Sequence, residues 1–72
     1  MTTWTRYKDD YGPRVALNFP YDPPAFSELK AALPFPRCKW DGERKSWSVK
    51  DNATDLTIAL DVLGGFGFYF DL

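Results

Sequence analysis

The sequence predicts an α+β domain of the double split β-α-β type, a mainly antiparallel sheet of four to five strands with two helices on one face. Three observations predict it. Two segments carry apolar residues at helical spacing behind capping residues, and the segments around them alternate apolar and polar residues with the period of a strand. Between the two helices, Trp40-Asp41-Gly42-Glu43-Arg44-Lys45-Ser46-Trp47 sets a charged, turn-forming stretch between two Trp, the pattern of a β-hairpin. At 72 residues the chain makes one domain, residues 1–72, with 1–13 readable as an N-terminal hairpin extension. Thirteen Phe, Trp and Tyr side chains, each able to bury ~150–250 Å², supply a core from few residues.

Thr2-Thr3-Trp4-Thr5-Arg6-Tyr7 is rich in β-formers, and Val15, Leu17 and Phe19 alternate along the next strand, with Lys8 to Pro13 as the turn. Asp22 before Pro23 and Pro24 starts a helix, because Asp accepts from orphan amides and Pro needs no donor in the first turn. Phe26, Leu29, Ala32 and Leu33 form its inner stripe, and Pro34 and Pro36 end it. In the hairpin, a loop centred on Glu43-Arg44 sets Trp40 opposite Trp47 and Cys38 opposite Val49. Arg37, Lys39, Asp41, Ser46, Ser48 and Lys50 then share the other face. A tighter turn at Asp41-Gly42 is the alternative, less attractive because it pairs Trp47 with Pro36. Asn52 caps the second helix, with Asp55 in its first turn and Leu56, Ala59, Leu60 and Leu63 facing inward, widened by Ile58 and Val62. Gly64-Gly65 is the expected C-cap. Phe66, Phe68 and Phe70 alternate with Gly67, Tyr69 and Asp71, which predicts a final paired strand.

The net charge of −1 is far from the basic footprint of a dedicated nucleic-acid binder, yet the charges are segregated. Residues 37–50 hold five Lys and Arg against two acids, a balance of +3, whereas 51–72 hold four Asp and no cation. Such polarity permits steering at one face. One Cys excludes an internal disulfide, and the absence of His excludes the usual Cys/His metal site, so no metal and no cofactor is expected. A cytoplasmic setting without membrane contact follows from the single Cys and the lack of a long apolar run. With no His to act as a base, no activated Ser or Cys and no phosphate-cradling Gly loop, no enzymatic activity is expected.

Val15-Ala16-Leu17-Asn18-Phe19, the helix Phe26-Ser27-Glu28-Leu29-Lys30, Trp40-Asp41-Gly42 with Lys45-Ser46-Trp47-Ser48-Val49, and the leucine-bearing second helix together resemble the HARP motif over about residues 14–70. That module accompanies annealing helicases of the Swi/Snf type and is similar to the N-terminal module of phage fork-remodelling helicases. The resemblance implies a double split β-α-β fold that binds DNA at single-/double-strand junctions and serves a motor. The chain departs from that setting in having no motor and no ATP-binding loop.

The expected function is therefore a non-catalytic nucleic-acid-binding module, acting with or derived from a helicase. Arg37, Lys39, Arg44, Lys45 and Lys50 are the candidates for phosphate contacts, against the alternative that they are a solvated strand face. Trp40, Asp41, Gly42 and Trp47 are the structural hairpin, the Trp pair being read as core rather than as a stacking platform. Tyr7, Tyr11, Tyr21 and Tyr69 include exposed rings suited to stacking or to a protein interface. Cys38 reads as a buried hydrophobe, and Asp51 and Asp55 as structural. The expected partner is forked or single-stranded DNA, bound by a monomer or weak oligomer. The rival reading is a small phage-type protein-interaction module that binds and modulates a host protein. A homo-oligomer joined through the terminal strands is a third.

Overall fold

The computed structural model describes residues 2–72. The elements run β1 (Thr3–Asp9), β2 (Gly12–Asn18), α1 (Pro23–Ala32), β3 (Cys38–Asp41), β4 (Ser46–Lys50) and α2 (Ala53–Gly64). The four strands form one antiparallel sheet in the order β1-β2-β4-β3. Because β4 lies between β2 and β3 and is antiparallel to both, those two are parallel to each other and joined by α1. This is a split β-α-β unit, and the expected α+β class holds.

The second unit departs from expectation. Residues 66–72 contain no strand. Beside β2, where a closing strand would pair, β1 makes a full ladder from Thr3 opposite Asn18 to Asp9 opposite Gly12. The N-terminal extension has taken the edge place, so the C-terminal segment keeps its alternation without a ladder. Phe66, Phe68 and Phe70 pack against the core, while Tyr69 stays 75% exposed. The segment is tied down by side chains of the β1 end: Thr2 Oγ1 donates to the Tyr69 carbonyl (2.6 Å) and Trp4 Nε1 to that of Asp71 (2.8 Å).

One core joins sheet and helices. Val15, Leu17, Cys38 and Val49 share a sheet face and pack against Ala25, Leu29, Leu33, Ala59 and Leu63, which places both helices on that face. Asp22 caps α1 by accepting from the Ala25 amide, and Asn52 caps α2 by accepting from that of Asp55. Both helices are rotated slightly from the predicted stripes. In α1 the buried positions are Ala25 and Leu29, leaving Phe26 on the flank; in α2 they are Asp55, Ala59 and Leu63, leaving Leu56 and Leu60 half-buried. The buried Asp55 of α2 pairs with Arg37.

α2 ends at Gly64 with Gly65 as its C-cap, as expected, but the left-handed turn comes later. Gly65 has helical backbone, and the left-handed residue is Gly67 (φ 85°). The Phe68 amide donates to the Leu63 carbonyl and the Gly67 amide to that of Gly64, which is a Schellman motif, with Phe68 packed against the core cluster that includes Leu63.

Candidate nucleic-acid interface

The central hairpin has the register its Trp pair predicts. Trp40 faces Trp47, Cys38 faces Val49, and Asp41 opposite Ser46 closes a four-residue loop, Gly42–Lys45, so the tighter turn at Asp41-Gly42 is not formed. Asp41 sets the loop as expected, its Oδ1 accepting from the amides of Glu43 (3.0 Å) and Arg44 (3.1 Å). Gly42 has no left-handed backbone; Lys45 does, at φ 51°.

The Trp pair divides. Trp47 is half-buried against the core, whereas Trp40, on the edge strand, is 51% exposed, which corrects the reading of both as core. Their rings meet edge-on at 5.4 Å. Trp47 continues to Phe26 (5.3 Å) and Phe26 to Tyr21 (5.4 Å), so four aromatic rings run in series across the hairpin and the N-terminus of α1. They bound a groove of about 190 Å³, also lined by Phe19 and Lys45. Its two ends, Tyr21 and Trp40, are the exposed ones, Tyr21 at 84%. Lys30, which the helical pattern places toward water, hangs over the Trp47 ring, Nζ 5.7 Å from its centroid. The groove was hidden in the sequence because it is assembled from three separated segments; the one local signal is an exposed-type Tyr directly before the Asp22 cap.

The five candidate cations do not converge. Arg37 turns to α2 and pairs with Asp55 (Nη2 to Oδ1 2.8 Å), a contact that holds its guanidinium still more firmly charged. Lys39 Nζ lies 2.6 Å from Asp9 Oδ2 and 4.6 Å from the Tyr11 ring centroid. Arg44 lies 3.9 Å above the Tyr7 ring and 3.5 Å from Asp41. Among the described residues Lys45 and Lys50 have no carboxylate within ion-pair distance, and neither do Lys8 and Lys30. Strand alternation puts Lys50 with Lys39 on the face away from the helices, so only Lys45 joins the groove.

That far face is covered by its own side chains. Beneath them Arg14 is fully buried, its guanidinium donating to Ser48 Oγ (3.0 Å), the Ser48 carbonyl (2.9 Å) and the carbonyls of Pro36 (2.8 Å) and Arg37 (3.3 Å). Asp9 is the shared anion, 3.7 Å from Arg14 and also accepting from the Tyr11 amide. Burial pushes its carboxyl up, but the Lys39 hydrogen bond, the Tyr11 amide and the two positive charges outweigh this and hold it below its ordinary value. Nothing in the pattern around Arg14 marks it as buried, since most of its acceptors are backbone carbonyls far along the chain.

Burial pushes the Cys38 thiol up to about 11, as befits a small core residue. Asp51 and Asp55 are both engaged, Asp51 with Arg6 at 3.3 Å. No group of three metal-ligating side chains occurs among the described residues, and no helix among them is long and apolar enough to cross a membrane. Comparison with known proteins returns no match: no family model, no curated protein and no solved structure matches the chain.

Proposed function

We propose that the protein is a non-catalytic nucleic-acid-binding module that engages unpaired strand, with single-/double-strand junctions as its preferred sites. The observation that carries this reading is the aromatic groove, where the exposed indole of Trp40 stands beside Lys45 and the Tyr21 ring closes the other end. Aromatic faces with adjacent cations are what a single strand requires, because every base has a stacking face and every linkage a negative charge. The resemblance to the HARP motif, which implies DNA binding by a domain with this hairpin, supports the same reading and implies a helicase as the associated motor. Of the five cations proposed for phosphate, Lys45 is the best placed; Lys50 has an open charge on the far face, and Arg37, Lys39 and Arg44 are each already paired with a carboxylate.

Fluorescence anisotropy with labelled single-stranded, duplex and forked DNA at two salt concentrations tests the reading. Salt-sensitive binding to single-stranded and forked DNA, weaker on duplex, is expected. Absence of binding to all three at low salt would overturn it in favour of a protein-interaction module.

A further inference from the structure

We propose that the groove between Tyr21 and Trp40 is a one-base subsite: a single unpaired nucleobase stacks on the Trp40 indole, and Lys45 and Lys30 receive the flanking phosphates. This rests on the nucleic-acid reading above and narrows it to one position. Size comes first. At about 190 Å³ the groove is smaller than the ~300–1,000 Å³ of sites that enclose drug-sized ligands, so it suits one planar ring, with sugar and phosphate left outside.

Charge selects among planar rings. Lys45 lines the groove and Lys30 lies over Trp47, and both lack a carboxylate partner among the described residues, whereas Arg37, Lys39 and Arg44 of the same hairpin region each have one. Of the acids beside the groove, Asp41 pairs with Arg44 and its loop amides and Asp22 caps the Ala25 amide, while Glu43 in the hairpin loop makes no ion pair among the described residues. An apolar groove with unneutralised ammonium groups complements a ring linked to anions better than it does a neutral peptide side chain.

The left-handed backbone at Lys45 agrees with this placement. A lysine at φ 51° occupies a conformation that glycine would hold at less cost, and that conformation carries its side chain at the lip of the groove.

The test compares a labelled oligothymidylate with an abasic deoxyribose-phosphate strand of equal length, on the wild-type protein and the variants Trp40→Ala and Tyr21→Ala. Circular dichroism confirms the fold of each; Tyr21, being 84% exposed, provides the variant least able to disturb it. Stacking predicts that wild type prefers the oligothymidylate by about 5- to 150-fold, that Trp40→Ala removes most of the preference, and that Tyr21→Ala reduces it, with affinity for the abasic strand unchanged in both. Equal affinity of wild type for the two strands, or a preference that survives both substitutions, overturns the subsite while leaving nucleic-acid binding in place. Failure to bind either strand overturns the broader reading. Trp40-dependent capture of a polyproline peptide without oligothymidylate binding assigns the groove to peptide and also overturns the proposal.

Discussion

Lys45 separates stability from binding within a single residue. Its left-handed backbone costs roughly 1–2 kcal/mol for a residue with a Cβ, and glycine removes that cost while adding about 0.5–1 kcal/mol of unfolded-chain entropy. Lys45→Gly is therefore expected to leave the urea midpoint unchanged or to raise stability by up to about 1.5 kcal/mol, while weakening oligothymidylate binding. A variant destabilised by a similar amount would show instead that the lysine side chain holds the loop. Arg14 is the opposite case, a buried charge whose loss is purely structural. Arg14→Met strands the carbonyls of Pro36, Arg37 and Ser48 and removes a charge facing Asp9, so a loss of about 3 kcal/mol is expected in urea denaturation. A loss below about 1 kcal/mol would mean that those carbonyls find other partners.

The same separation operates between two glycines three residues apart at the end of α2. An added Cβ at Gly67 meets nothing within 4 Å, so the penalty of Gly67→Ala comes from its backbone alone, at roughly 1–2 kcal/mol. At Gly64, inside the helix, a Cβ would sit 3.7 Å from the Tyr69 ring, an ordinary contact, and Gly64→Ala should stabilise by roughly 0.5–1 kcal/mol. Thermal melts of the pair are expected to move in opposite directions; a Gly67→Ala melt that does not fall would remove Gly67 from the cap. These elements also show what was legible beforehand. The β3–β4 register could be read because Trp40 and Trp47 leave room for one loop that pairs them, and both helix N-caps because Asp22 and Asn52 act on amides three residues away. The missing C-terminal strand could not. Two segments, Thr3–Asp9 and 66–71, both alternate well enough to pair with β2, and only the packed molecule decides which takes the edge. The sites of Lys39 and Arg44 were obscured for a related reason, because Asp9 and Tyr7 come from β1, the strand whose place was uncertain.

At the scale of the whole molecule, charge is largely consumed in holding the fold. Asp9 ties β1 to β2 and β3 through Arg14 and Lys39. Its depressed carboxyl value implies a stability contribution fully present above the ordinary value of 3.8 and lost as the pH falls from there through the lower folded-state value. Asp9→Asn, which keeps an acceptor for the Tyr11 amide, should thus be less stable than wild type at neutral pH. The deficit should close on acidification below about pH 4; a deficit constant with pH would mean that charge is not its cause.

The same consumption of charge limits what the surface can offer a polyanion. If all five cations of the Arg37–Lys50 stretch met phosphate, the salt dependence of single-strand binding would have a logarithmic slope of about −3.5, taking ~0.7 per contact. With Arg37, Lys39 and Arg44 held by Asp55, Asp9 and Asp41, and Lys50 on the far face, the groove offers Lys45 and Lys30, and the expected slope is about −1.4. Affinity must then come mainly from stacking, and it should fall more on Trp40→Ala than on Lys45→Gly at physiological salt. A measured slope near the larger value would show that the ion pairs of the free protein open on binding, and that the far face, with Lys39, Arg44 and Lys50, belongs to the interface.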